Sequence, residues 1–342
     1  MNFNAAVLVS TKKVVIEKLE TPKLYYGQVL VKILYSSICQ TQIGEIYGKR
    51  GKDYYLPHCL GHEGVGIVAD KHKSVSKIQV GNKVCLSWIK GSGIDAGGTK
   101  YKNKKGTIIN AGPVNTFSEY AVVSENRVYK LSNRDNTISS VLLGCAIPTA
   151  FNSIFDSLKN VTNGPIFIFG CGGVGLSTII ASKIKKIRPI IGIDINSKKL
   201  KIAKEIGADK VFNFQNNNFS KKLTNYCKSN FPTMIECTGN TDVLNYCVEK
   251  ANTFGGKILV IGNYPKPSSI KLDPWNIIKG KTLIGAWNDL DSFENKFKIY
   301  KKKINKNYSS HFFGNKFYSL NEINKAIKEF TKGKVIRPLI KF

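Results

Sequence analysis

The segment 56–68, LPHCLGHEGVGIV, puts Cys59, His62 and Glu63 close together just ahead of an apolar run with glycines. All three residue types bind metals. A catalytic zinc takes three protein ligands and keeps a fourth position open, so other donors could complete a site. The same half of the chain offers Cys39 in SSICQTQIGE, Cys85 in KVCLSW and Cys145 in LLGCAIPTA, with His58 and His72 nearby. Taken one at a time, each cysteine reads first as a small buried apolar side chain.

A second group carries different chemistry. Gly170-Cys171-Gly172-Gly173-Val174-Gly175 matches G-x-G-x-x-G, follows the apolar run PIFIF and opens the helix-spaced GLSTIIASKIKK. That context is what a dinucleotide loop needs. Gly170 permits a tight turn, Gly172 lets a pyrophosphate reach the backbone, and Gly175 lets helix and strand pack closely. Free N–H groups and the helix dipole at Gly173 and Val174 favour the phosphates. Asp194 ends the next strand, PIIGID, where its carboxylate accepts hydrogen bonds from a ribose and repels a 2′-phosphate. No arginine follows in DINSKK, so NAD is expected rather than NADP. The plainer alternative is a glycine turn with no ligand.

The elements that must position these groups fall into two kinds. Up to about residue 130, short alternating segments such as GQVLVKILYSS, GVGIVAD and EYAVVSENRVYKL are broken by Gly, Pro and Ser, the pattern of a β-rich domain. From about 148, apolar strands (PIFIF, PIIGID, TMIEC, GGKILVIGN) alternate with amphipathic helices, which predicts a doubly wound parallel sheet. The α/β chain is therefore read as a catalytic domain at 1–147 and 288–342, with a dinucleotide-binding domain at 148–287. After 288 come a lysine-rich helix, a strand-like FGNKFYSL, the helix NEINKAIKEFTKG and a strand-like VIRPLIKF.

Bulk properties narrow the classes. With 342 residues and 42% hydrophobic content, two cores are affordable. No apolar run reaches the roughly 18 residues of a membrane span. The N-terminus reads as a strand, not a secretion signal. Eight scattered cysteines then read as reduced thiols or ligands, and a cytoplasmic protein is expected. The formal net charge of +29 is spread along the chain, as in KLKIAKEIGADK and KIYKKKINKN. Dispersed lysines fit compositional drift better than an anionic substrate, and better still than a specific nucleic-acid surface.

Several long motifs in order give the sequence a resemblance to the zinc-dependent medium-chain alcohol dehydrogenases. GHEGVGIV, GCAIPTAF, FGCGGVGLSTI, IIGIDIN, AKEIGAD and ECTGN carry it across nearly the whole chain. TFSEYAVVSENRVYKL and GKVIRPLIKF resemble the branch that includes glutathione-dependent formaldehyde dehydrogenases. The resemblance implies a GroES-like β-rich catalytic domain plus a Rossmann coenzyme domain. It implies Cys39, His62 and Cys145 as catalytic zinc ligands, Glu63 beside the metal, and Cys59 outside the site. Thr41 stands where the family keeps a hydroxyl that takes the alcohol proton. Thr149 matches a residue touching the nicotinamide, Lys199 one near the adenosine, and Arg337 one that pairs with the pyrophosphate. The implied activity is reversible hydride transfer between an alcohol, polyol or sugar alcohol and NAD. A catalytically inactive cofactor-binding scaffold on the same fold is the alternative.

The chain also departs from the family. The stretch after KVCLSW, IKGSGIDAGGTKYKNKKG, lacks the four cysteines of a structural zinc, so one zinc per chain is expected. Gly44 replaces the histidine that ends the proton relay, Gln40 an arginine near the pyrophosphate, and Gln42 an aspartate that supports the zinc histidine. GGTKYK lacks the arginine of the glutathione-using branch, leaving Lys100 or Lys102 as substitutes. KILVIGN and TLIGAWN resemble strands that pair between subunits, so a homodimer is expected, with a tetramer as the alternative.

Overall fold

The computed structural model describes residues 1–287, 293–304 and 308–342. The chain forms two compact units, one comprising Met1–Pro148 with the C-terminal segment, the other beginning at Thr149. The sequence reading put that first boundary at 147/148; its second boundary, at 288, lies outside the described residues.

In the first unit, strands Asn2–Ser10, Lys13–Glu20, Thr99–Asn103, Ile108–Ala111 and His58–Cys59 close a barrel. Thr99–Asn103 alternates buried and exposed residues along its length, the period-two signature of a strand with one face in a core. Phe3, Val7, Cys59, Tyr101 and Val122 share that core. A second sheet is built on Gln28–Ser37, which pairs with Glu63–Lys71, with Tyr120–Ser124 and with the C-terminal Leu339–Lys341. The returning C-terminal strand is what brings Arg337 back to the N-terminal half of the chain.

The second unit is a six-stranded parallel sheet in the order Lys210–Asn213, Ile190–Asp194, Ile166–Phe169, Thr233–Glu236, Lys257–Val260, Thr282–Gly285. By chain order this is 3-2-1-4-5-6, the doubly wound arrangement. Ile166–Phe169 and Ile190–Asp194 are buried at every position, which explains why they read as unbroken apolar runs. Asn196 caps Ser197–Ile206 by accepting from the Lys198 and Lys199 N–H groups, and Asn240 caps Thr241–Lys250 in the same way. Each such cap contributes about 1 kcal/mol. The short strand Lys210–Asn213 was not anticipated; it is the half-buried edge of the sheet, where the apolar signal thins out. No single helix among the described residues is long and apolar enough to cross a membrane.

Candidate functional site

Three chain segments of the first unit converge on one point. Cys39 is the N-cap of the helix Gln40–Ile46. His62 immediately precedes the strand Glu63–Lys71. Cys145 follows the 3-10 turn Leu142–Gly144. A glycine is required at 144 because a Cβ there would lie 2.4 Å from the Leu86 carbonyl oxygen and 2.7 Å from the Glu63 Cβ. That close approach, held by the Ser87 hydroxyl donating to the Gly144 carbonyl at 2.8 Å, sets Cys145 beside His62. The ligand atoms of Cys39, His62 and Cys145 all lie within 4.8 Å of one another. Among the described residues no other group of three or more His, Cys, Asp or Glu side chains is drawn together in this way.

The chemistry of this donor set fits a zinc ion. The Cys39 thiol is held well below its ordinary pKa, first by a hydrogen bond with Cys145 and then by the positive fields of Arg337 and His62, against the opposing effect of burial. A thiolate is the form that binds metal. His62 Nε2 is buried with no hydrogen-bond partner, and an orphaned buried nitrogen is costly unless a bound group satisfies it. On the other side of the ring, Nδ1 meets the Gln42 amide nitrogen, while the Gln42 oxygen accepts from the Cys39 N–H at 3.0 Å. Gln42 thus ties two of the three candidate ligands together.

Cys59, for all its closeness in sequence, lies in the barrel core, and burial alone pushes its thiol up to about 12. Cys85 donates to the Ser140 carbonyl at 3.3 Å and is pushed up by burial as well. Glu63 is 0% exposed and forms an ion pair with Arg337, itself 2% exposed. The sequence reading set Glu63 beside a metal and Arg337 against a pyrophosphate; a pairing of the two was in neither expectation. The returning C-terminal segment, far away in sequence, gave no local signal of it.

The Cys39 thiol contacts the Thr41 hydroxyl at 3.8 Å. Thr41 and His62 both line a cavity of about 610 Å³ within the first unit, whose wall also carries Glu45, Asp53 and His58. His58 Nε2 meets Asp53 at 2.8 Å and Nδ1 meets the Cys59 carbonyl at 3.0 Å. Glu45 and Asp53 were not singled out from sequence. The i, i+4 spacing of Thr41 and Glu45 on one helix is the signal that would have marked Glu45.

In the second unit the glycine loop has the expected geometry. Gly170 sits at φ +91, and Gly172 caps the helix Gly173–Ile184. A Cβ at Gly175 would fall 1.7 Å from the Gly170 carbonyl oxygen, whereas one at Gly172 would meet nothing within 4 Å. Gly175 is thus a packing glycine, and the surface at Gly172 is open. Val174 lies in the first helical turn. Asp194 is buried and accepts from the Cys171 N–H at 2.7 Å and the Asn196 N–H at 2.8 Å, so it braces the loop from the neighbouring strand. Lys199 lies in the first turn of Ser197–Ile206, and its charge acts on the Cys171 thiol. The Thr149 carbonyl accepts from the Ser153 hydroxyl at 2.7 Å.

Comparison with known proteins identifies the family. Residues 173–301 match the zinc-binding dehydrogenase family, and residues 26–133 match the alcohol dehydrogenase GroES-like domain. The chain is similar to the crystal structure of benzyl alcohol dehydrogenase from Acinetobacter calcoaceticus, with 25% identity, a TM-score of 0.83, and coverage of 100% of this chain and 99% of that one. An alcohol dehydrogenase zinc-binding domain protein from Burkholderia ambifaria shares the fold at 22% identity and a TM-score of 0.88, over 100% of this chain and 99% of that one. So does 2R,3R-butanediol dehydrogenase from Bacillus subtilis, at 21% identity and a TM-score of 0.79, over 99% of each chain. With both domains matched, the chain belongs to the zinc-dependent medium-chain alcohol dehydrogenase family of oxidoreductases.

Proposed function

We propose that the protein is an NAD-dependent alcohol dehydrogenase carrying one catalytic zinc, which interconverts a small alcohol and its aldehyde or ketone. The observation that carries this reading is the convergence of the Cys39, His62 and Cys145 ligand atoms within 4.8 Å of one another, with His62 Nε2 buried and unpartnered and the Cys39 thiol driven toward thiolate. Cys39, His62 and Cys145 hold the metal. When bound, zinc supplies a Lewis acid that makes an alcohol hydroxyl more acidic, and NAD supplies the hydride acceptor.

The chain's own residues do the rest. Thr41 Oγ1, beside Cys39 and on the cavity wall, takes the hydroxyl proton and returns it in the reverse direction. Glu63, locked to Arg337, fixes the start of the strand that His62 immediately precedes. Gly170, Gly172, Gly173, Val174 and Gly175 hold the cofactor phosphates, Lys199 and Asp194 its adenosine end, and Thr149 its nicotinamide. Asp194 supports NAD over NADP, because its carboxylate repels a 2′-phosphate.

A homodimer through the second unit accompanies this reading. Thr282–Gly285 is the last strand of its sheet, with Leu283 37% and the nearby Trp287 74% exposed, and an open apolar edge favours a second copy. The protein acts in the cytoplasm on a small molecule, without a specific nucleic-acid or membrane partner. A panel of primary and secondary alcohols assayed with NAD and NADP in parallel tests the function. Turnover with NAD and weak use of NADP are expected; a preference for NADP would overturn the role given to Asp194.

A further inference from the structure

The cavity beside Thr41 and His62 has one feature that the metal and nucleotide sites do not use. Glu45 follows Thr41 by one helical turn in Gln40–Ile46, and both line the cavity. Its side chain is only 29% exposed, yet its carboxylate makes no hydrogen bond among the described residues; it lies 3.9 Å from His58 Nε2. The second carboxylate of the wall, Asp53, differs: its oxygens accept from the Tyr55 N–H at 2.9 Å and meet His58 Nε2 at 2.8 Å. Of the two carboxylates on the wall, Glu45 is the one whose acceptor oxygens are open.

We infer that Glu45 is the specificity-determining residue of this cavity and that the substrate is a polyhydroxylated alcohol. The inference rests on the proposed dehydrogenase activity and names its substrate class. Side chains at i and i+4 stand about 6 Å apart on a helix face. With the reacting hydroxyl at Thr41, a second hydroxyl roughly two or three carbons along the chain reaches the Glu45 carboxylate. A hydrogen bond to a charged acceptor is worth about 1.5–3 kcal/mol, or roughly 10- to 150-fold in affinity. An apolar alcohol would strip water from Glu45 and return no donor. Burial already raises the Glu45 carboxyl above its ordinary pKa, opposed by His58, His62 and Arg50 and reinforced by Asp53, as expected of an acceptor short of hydration.

The test uses the zinc-loaded protein with NAD, xylitol and 1-pentanol as five-carbon probes, and the variants Glu45→Gln and Glu45→Leu. Binding of xylitol is titrated by saturation-transfer NMR, and kcat/KM is measured for both alcohols. Xylitol should be preferred by the wild type, weakened about 10-fold by Glu45→Gln and about 100-fold by Glu45→Leu, while 1-pentanol improves in Glu45→Leu and zinc content stays constant. Equal xylitol affinity in wild type and both variants, no xylitol binding at all, or a wild-type preference for 1-pentanol would overturn the inference. Glu45-dependent binding without turnover of either alcohol would instead sink the dehydrogenase reading and leave the pocket assignment standing.

Discussion

The two candidate sites are built in opposite ways. The nucleotide loop is a single strand-turn-helix in which main-chain geometry does the work, and its glycines are there because Cβ atoms would collide or block approach. The metal centre gathers one side chain from each of three remote segments, so its geometry depends on the packing of a whole unit. Local geometry leaves a contiguous motif; long-range geometry leaves isolated residues that mean little singly. The two sites should therefore fail independently.

The largest expected effect is that of Cys39→Ser. Losing one of three ligands should empty the metal site and lower turnover on the order of 1,000-fold or more, since Lewis-acid assistance is worth several kcal/mol. NAD affinity, measured by fluorescence titration, should stay within about twofold. Joint loss of zinc and NAD binding would break the comparison. Gly175→Ala is its mirror. The new methyl group meets the Gly170 carbonyl, and overpacking of this kind costs about 1–3 kcal/mol or more. NAD binding should weaken about 100-fold while elemental analysis still finds zinc.

How much was legible follows the same division. The Gly170–Gly175 loop, its flanking strands and Asp194 could be read directly, because buried parallel strands and glycine turns write themselves into consecutive residues. For Cys39, His62 and Cys145 the residues alone left six or more candidate donors; resemblance to a family selected three. The Glu63–Arg337 pair and the Glu45 wall were not legible. The first is closed by a C-terminal strand pairing with Gln28–Ser37, and the second requires knowing which helix face borders a cavity. The edge strand Lys210–Asn213 escaped because half-burial mixes polar and apolar positions.

Smaller changes sharpen the contrast further. Gln42 offers one oxygen, already accepting from the Cys39 N–H, and presents its amide nitrogen to His62 Nδ1. The isosteric Gln42→Glu supplies an acceptor to both, which favours the ring proton on Nδ1 and frees Nε2. Zinc affinity, measured by chelator competition, should rise about 10-fold; an unchanged or weaker affinity would contradict this role for Gln42.

The smallest functional effect belongs to Cys59→Ala, which should leave zinc content and turnover within about twofold. Its signature is alkaline stability. The buried thiol has a folded pKa of about 12 against an ordinary 9.0. The unfolded chain therefore releases this proton first, so the contribution is intact below pH 9.0 and is lost as pH rises toward 12. The slope is about 1.4 kcal/mol per pH unit at most. Thermal melts from pH 8 to 11 should fall more gently for Cys59→Ala than for the wild type. Parallel curves would show that this thiol is not shielded in the core.

Zinc per chain, by elemental analysis of protein purified without chelator from zinc-supplied cells, tests the central claim most directly. About one zinc in the wild type and none in Cys39→Ser, His62→Ala or Cys145→Ser is the predicted result. A wild type without zinc, or variants that keep it, would contradict the assignment of these three residues as the metal centre.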